Sequence, residues 1–180
     1  SRVLIMYFAN FPVIPYDSVG NYDFKVVTNL LKRVAVRAKV KTNVVLYDTY
    51  DIKEGETPEI LADTLYDDPE YHWVILLIND ITDRYHQWPM SYPQFMSYIE
   101  DKYTDPNATH HYEISQTSGD TTVKIDIGLD NTDHSGATAV TNFEYEEEIQ
   151  NTNRKIKLLN SGYLADFVAE YQKLMKASIL

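Results

Sequence analysis

The run Tyr50-Asp-Ile-Lys-Glu-Gly-Glu-Thr-Pro-Glu-Ile-Leu-Ala-Asp-Thr-Leu-Tyr66, with Trp73 and Asn79 beyond it, decides how the middle of this chain folds. Thr57 offers a hydroxyl to a helix N-terminus, Pro58 suits the first helical position, and Glu59 sits where the helix dipole favours an anion. Gly55 permits the tight turn that leads into this start. The spacing predicts a helix with Ile60, Ala62 and Leu65 on its packing side, ending near Tyr66 where Asp67, Asp68 and Pro69 break it. A second helix is predicted over about 70–78. Its apolar residues Trp73, Val74, Ile75, Leu76, Leu77 and Ile78 are contiguous rather than periodic, so it should be buried almost all round before Asn79 and Asp80 stop it. Ahead of the turn, 43–52 is rich in Val and Tyr and reads as strand material.

Working outward, 10–21 is rich in Pro, Asn, Asp and Gly and reads as an irregular arm. Val27, Leu30, Leu31, Val34, Ala35 and Ala38 recur at three and four, with Lys32, Arg33 and Arg37 opposite, which predicts a basic amphipathic helix. The β-branched content of Val26, Val27, Val34, Val36 and Val40 keeps a strand reading open at its ends. On the other side, Trp88-Pro89-Met90 leads to a third helix over 92–103, with Phe95, Met96, Ile99 and Tyr103 on one side. Residues 112–115 and 121–127 alternate around Ser118, Gly119 and Asp120, the signature of a hairpin. The stretch 128–141 reads as loop, 144–150 as an acidic run, 155–159 as a strand, and the chain closes with an amphipathic helix from about Tyr163. The expectation is an α+β protein in three parts: an N-terminal arm and basic helix region (1–45), a middle domain (46–103), and a C-terminal hairpin, strand and helix region (104–180).

Composition bounds the function. The chain has 180 residues, 44% of them hydrophobic and 24% charged, enough for one ordinary domain or two small ones. Size scaling predicts burial of about 70% of the unfolded surface, so a core can form without staples. There is no cysteine, which removes disulfides, thiolate zinc sites and cysteine nucleophiles together. Tyrosine dominates the aromatics, 15 against 6 Phe and 2 Trp, a bias suited to half-buried surfaces and interfaces. A net charge of −11 argues against nucleic-acid binding. That charge is polarised. Residues 1–45 carry seven Lys or Arg against two Asp, and 46–110 carry fourteen acids against three bases. A basic segment beside an acidic body can pair internally or meet a partner's complementary field, and both readings stand. No stretch approaches the roughly 18 apolar residues of a membrane span, and 3–9 is too short for a secretory signal, so a soluble, non-exported, non-membrane protein is expected.

Chemistry-bearing motifs are sparse. Asp126, Asp130, Asp133 and His134 crowd one loop but lack the spacing, turn glycine and terminal Glu of a calcium loop, so a solvated acidic loop is expected. His110 and His111 are adjacent, and on a regular strand they face opposite sides. No phosphate-cradling glycine loop or nucleophile elbow is present, and the acids occur in runs such as Glu146, Glu147 and Glu148. The expectation is no catalytic residue, no cofactor and no metal.

The middle string, with Tyr50, Gly55, Thr57, Trp73 and Asn79 as its landmarks, resembles the LysM module: strand, Gly-acid-Thr turn, helix, short break, second helix, Asn. It departs after Asn79, where no second strand of the Gly-Gln-x-Leu-x-Ile-Pro kind follows; the partner strand is expected from elsewhere, with 43–46 a candidate. From about Tyr16 to Met175 the chain resembles the LysM-like baseplate wedge proteins of T-even-type contractile-tail bacteriophages. The landmarks are the basic segment 31–41, Gly55 to Ala62, Tyr71 to Asn79, Trp88, and Arg154 to Leu159 followed by the last helix; 104–142 matches poorly. This resemblance implies a non-enzymatic virion subunit that joins neighbouring wedges and contacts the other wedge proteins and the sheath-initiating protein. It would assemble in the host cytoplasm and end in the tail baseplate. The competing class is a peptidoglycan-binding LysM module. As partner contacts the sequence offers the cluster Arg33, Arg37, Lys39 and Lys41, and Trp88, since a loop tryptophan beside proline is rarely needed for helix packing and is enriched at hot spots. Trp73 reads as core.

Overall fold

Thr57 begins the first long helix as its chemistry predicts, its side chain accepting a hydrogen bond from the Ile60 N–H at 3.3 Å with Pro58 in the first helical position. In the computed structural model, which describes residues 11–35, 45–117, 119 and 122–176, the strands are β1 (Val13–Tyr16), β2 (Lys25–Thr28), β3 (Tyr47–Asp51), β4 (Thr109–Ser115), β5 (Lys124–Asp126), β6 (Thr138–Thr141) and β7 (Lys155–Leu159). The helices are α1 (Pro58–Tyr66), α2 (His72–Ile78), α3 (Arg84–Gln87), α4 (Tyr92–Lys102), α5 (Asn142–Arg154) and α6 (Leu164–Lys176), with 3-10 turns over Pro69–Tyr71 and Ser161–Tyr163. The mixed α+β class is therefore the observed one. The chain divides into two compact units, one of Ser1–Asp51, Glu56–Gln87 and Ile156–Leu180, the other of Ile52–Gly55 and Trp88–Lys155.

In the first unit, β3 pairs with β7. Asn160 N–H donates to Leu46 C=O at one end of this pairing and Ile52 N–H to Arg154 C=O at the other, each 2.9 Å, so the strands run antiparallel. The partner strand of β3 thus comes from the far end of the chain, and the expectation of 43–46 is corrected. α1 ends on Asp67, which adopts a left-handed backbone (φ 57) and returns its N–H to Asp63 C=O; α1 and α2 then pack on one another. Leu61, Ala62 and Tyr66 from α1, Trp73, Val74, Ile75 and Ile78 from α2, Ile156, Leu158 and Leu159 from β7, and Val168, Tyr171 and Met175 from α6 are buried. Leu76 and Leu77 are half-buried, so α2 is covered on most but not all of its circumference.

The N-terminal region differs from its expectation. Residues 13–16 and 25–28 form an antiparallel hairpin, with Ile14 opposite Val27 and Pro15 opposite Val26, where an irregular arm and the start of a helix were expected. The three-and-four spacing from Val27 coincides with β-branched residues that favour a strand, and the chain over 29–35 is not helical. The remainder of the expected helix, 36–38, lies outside the described residues.

In the second unit, α4 carries Phe95 and Ile99 inward, as its spacing predicts. β4 is the centre of a three-stranded antiparallel sheet in the order β5-β4-β6. The predicted hairpin is the β4–β5 pair; β6 lies within the stretch expected to be loop. The acidic run 144–150 belongs to helix α5. Its start is a capping box in which Thr141 accepts from Glu144 N–H at 3.2 Å and Glu144 accepts from Thr141 N–H at 2.8 Å.

Candidate partner-contact sites

The landmark residues of the middle string hold backbone and side chains in place. Gly55 has a positive φ of 77 in otherwise open space, so backbone conformation and not crowding calls for glycine there. Tyr50 donates its hydroxyl proton to Glu56, whose two carboxylate oxygens both lie 2.9 Å away. Burial and then the Glu56 carboxylate push the Tyr50 hydroxyl above its ordinary pKa. Glu59 pairs with Arg84. Burial would raise the Glu59 carboxyl, but its own backbone N–H, the Thr57 hydroxyl and the charges of Arg84 and His72 hold it below its usual range. Trp73 is core, 4% exposed, with its ring 4.5 Å from that of Tyr171 and 6.4 Å from that of Phe167.

Asn79 does more than stop a helix. Its Nδ2 donates to Lys157 C=O at 2.8 Å and to Ile75 C=O at 2.9 Å, while its Oδ1 accepts from Lys157 N–H at 2.8 Å. The side-chain amide thereby pairs with β7 as a neighbouring strand would, satisfying a donor and an acceptor on that strand's edge. Tyr66 donates its hydroxyl to Leu159 C=O at 3.0 Å, and burial holds that hydroxyl protonated far above its ordinary pKa. Between them, the ends of α1 and α2 fasten β7 by side-chain bonds.

The basic residues have separate fates. Lys32 donates to Met175 C=O near the C-terminus of α6, a favourable place for a cation. Arg33 is exposed. Both line a cleft of about 650 Å³ whose other walls include Trp73, Leu77, Glu70 and His72. Arg37, Lys39 and Lys41 lie outside the described residues. Trp88 is 7% exposed. The chain bends there, as expected of a loop, but the expectation that this tryptophan faces outward is corrected: the protein's own polypeptide already covers it.

The second unit contains a buried carboxylate, paired with an exposed lysine, that sequence reasoning missed. Glu146, 2% exposed, accepts from Lys102 Nζ at 2.6 Å and from the Tyr103 hydroxyl at 2.7 Å. Burial pushes the Glu146 carboxyl up, and these bonds outweigh it and bring it below its ordinary pKa. The Glu146 bond, joined by that to Tyr98, raises the pKa of Lys102. One helical turn on, buried Gln150 accepts from Met90 N–H at 2.9 Å. The signal available in the sequence was the four-residue spacing of Glu146 and Gln150 behind the Thr141–Glu144 box. His110 and His111 also depart from expectation. A register shift between Thr109 and His111 breaks the alternation, and the two rings meet with their Nδ1 atoms 2.8 Å apart while His110 stacks on Tyr145. Among the described residues there is no group of three acidic or histidine side chains that could hold a metal ion, and no helix is long and apolar enough to cross a membrane.

These features define a mixed α/β protein whose distinctive side chains fasten strands and helices together, in keeping with a structural subunit. The chain matches the family described as "Base plate wedge protein 53" over residues 6–111, more than half its length, and it belongs to that family of phage tail baseplate proteins of the virion. It is similar to the baseplate wedge protein gp53 of Enterobacteria phage T4, with 32% identity over 79 residues, 44% of this chain and 35% of the relative. The match thus spans about a third of the length of that curated relative.

Proposed function

We propose that this chain is a non-enzymatic subunit that joins neighbouring baseplate wedges through protein–protein contacts, its partners being other wedge proteins and the sheath-initiating protein. The observation that carries the reading is the match to the baseplate wedge family over 6–111. On this reading the exposed Arg33, with Arg37, Lys39 and Lys41 after it in the sequence, meets an acidic partner surface. Residues 1–45 are the N-terminal arm and basic region, and the LysM-like part is β3, α1 and α2 within 46–103 completed by β7 from the C-terminal region 104–180. The chain order β3, α1, α2 and then the antiparallel partner β7 supports the LysM-like part, because strand, helix, helix, strand is the order that the resemblance implies, with 88–154 intervening before the second strand. The subunit assembles in the host cytoplasm before it enters the baseplate.

The test is co-expression of the full chain with the other baseplate proteins of its phage, followed by affinity capture, with purified cell-wall sacculi as a parallel bait. Co-purification of wedge proteins without sacculus retention is expected. Sacculus binding that survives high salt, with no wedge protein captured, would overturn the proposal in favour of glycan recognition.

A further inference from the structure

Two imidazoles meet where strand β4 is irregular. Its register against β6 shifts between Thr109 and His111, and the rings of His110 and His111, which a regular strand would send to opposite faces, come together with their Nδ1 atoms 2.8 Å apart. A contact of that length between ring nitrogens is a hydrogen bond, and it needs one N–H and one lone pair. His111 is 6% exposed, and its other nitrogen, Nε2, lies 3.2 Å from a carboxylate oxygen of Glu113. His110 is half-buried and stacks on the ring of Tyr145 near the start of α5, the centroids 3.9 Å apart and the planes 10° from parallel. Tyr145 also meets His111 edge-on. The two histidines thus tie the irregular part of β4 to α5.

These bonds limit how many protons the pair can hold. A carboxylate only accepts, so Nε2 of His111 carries a hydrogen and donates it to Glu113. While both rings are neutral, Nδ1 of His111 accepts from Nδ1–H of His110. One further proton leaves this bond in place, because whichever ring becomes the cation donates to the neutral other, and the Glu113 carboxylate and the Tyr145 ring face both favour the added charge. A second further proton does not fit. Both Nδ1 atoms then carry hydrogen, and two cationic N–H groups point at each other across 2.8 Å.

The surroundings do not offset that second charge. On β6, Thr138–Thr141, no side chain titrates. On β5, Asp126 stands opposite Glu113 rather than opposite the histidines, and Lys124 donates to Ser115. On α5, Glu144 accepts from Thr141 and Glu146 from Lys102 and Tyr103, while Glu147 and Glu148 are exposed. Among the described residues, Glu113 is the one carboxylate within ion-pair reach of either ring.

We propose that His110 and His111 form a proton-operated latch in the second unit, closed while the pair holds at most one proton beyond its neutral form and opened by the next, which releases β4 from α5. The latch does not depend on the wedge-joining reading. Its direction follows from linkage. In the unfolded chain both imidazoles take up protons as pH falls through the ordinary histidine value of about 6.5, whereas the closed pair accepts one and excludes the other. The open form therefore binds more protons, and closure weakens as pH falls from 7 to 5, by up to about tenfold per pH unit for one excluded proton.

The experiment follows the full chain from pH 8 to 5 by imidazole nitrogen NMR and by amide hydrogen exchange, corrected for the intrinsic pH dependence of exchange. It compares wild type with His110→Phe, which keeps a ring to stack on Tyr145 and offers no nitrogen. In wild type, one ring should become cationic while β4 and the start of α5 stay protected, and the second should follow only together with a loss of protection that approaches tenfold per pH unit. In His110→Phe the protection of the same amides should not vary with pH over that range. Both rings doubly protonated with β4 still protected overturns the latch, a result that needs no variant. Wild-type protection that is constant from pH 7 to 5 overturns it as well, and so does the same loss of protection in His110→Phe, which would assign the pH dependence to other groups.

Discussion

The hairpin 13–28 and the helix pair 58–78 are built from the same kinds of side chain and end in opposite surroundings. In the helix pair Trp73, Val74, Ile75 and Ile78 are all but inaccessible, whereas in the hairpin Val13, Val26, Phe24 and Tyr22 are mostly exposed. A helix with apolar residues nearly all round has to be enclosed by its own chain, and α2 receives this from α1 and α6. A lone two-stranded ribbon has one layer and two faces, so without a second layer one face stays open. The difference is between a region whose apolar surface is spent on folding and one whose apolar surface is left exposed by the described residues. Substitution in the two regions should therefore separate stability from binding.

The largest effect belongs to the covered region. Trp73→Ala removes an indole packed against Tyr171 and Phe167 and should destabilise the fold by about 3–5 kcal/mol, lowering the melting temperature by about 10 °C in calorimetry. A fall below about 2 °C would mean that α2 is not the centre of its unit. Trp88→Ala, at a residue 7% exposed, should likewise lower the melting temperature by several degrees, and an unchanged value with lost partner binding would return Trp88 to the surface.

How much of this was legible follows from where the information lies along the chain. α1 and the segment to Ile78 are specified locally, by Thr57, Pro58, Asp67 and a contiguous apolar run, and their boundaries were readable. The partner of β3 was not readable near it, because β7 begins more than 100 residues after β3 starts and no local pattern reports a pairing of that range. Helix α5 escaped the periodicity test since its buried face is Glu146 and Gln150, polar side chains whose burial depends on Lys102, Tyr103 and Met90 on another element. The hairpin was misread in the other direction. Val27, Leu30 and Leu31 have helical spacing and stay exposed, and periodicity carries meaning only where a layer exists to receive the stripe. Of the candidate contacts, Arg33 was identifiable by charge, while which apolar side chains the hairpin leaves exposed needed its register.

Intermediate effects sharpen the contrast by testing polar fastenings of the covered regions. Asn79→Ala leaves the N–H and C=O of Lys157 and the Ile75 carbonyl without their amide partner and should cost about 1–3 kcal/mol, read as a lower urea midpoint at constant slope. Glu146 predicts a pH dependence. Its folded pKa lies below the ordinary 4.5, so the unfolded chain binds the proton more readily; the stabilisation is complete above that value and is lost as pH falls through the folded one. Lys102 acts at the other end, its raised pKa giving stabilisation present below 10.5 and lost as pH rises through the folded value. Urea titrations from pH 3 to 7 should show the acid limb flattened in Glu146→Gln, together with a loss of about 2 kcal/mol at pH 7 from the broken ion pair. An acid limb identical to wild type would place the pH sensitivity elsewhere.

The smallest expected stability change is the most informative about association. Val26→Ser on the open face of the hairpin exchanges an isopropyl group that is 74% exposed for a hydroxymethyl group, so little water-excluded area is at stake and the free chain should change by less than about 0.5 kcal/mol. The loss of β propensity contributes a few tenths, since the serine sits on an edge strand beside only the exposed Val13, Pro15 and Thr28 on that face. Were a partner to cover this side chain, removing a buried branched group would cost about 1–2 kcal/mol, a five- to thirtyfold weaker dissociation constant. A melting temperature within 1 °C of wild type, combined with faster release from the wedge complex in surface plasmon resonance, separates the two roles. Equal loss in the free chain and in the complex would show instead that the hairpin face is already spent on folding, and the contrast between the two regions would disappear.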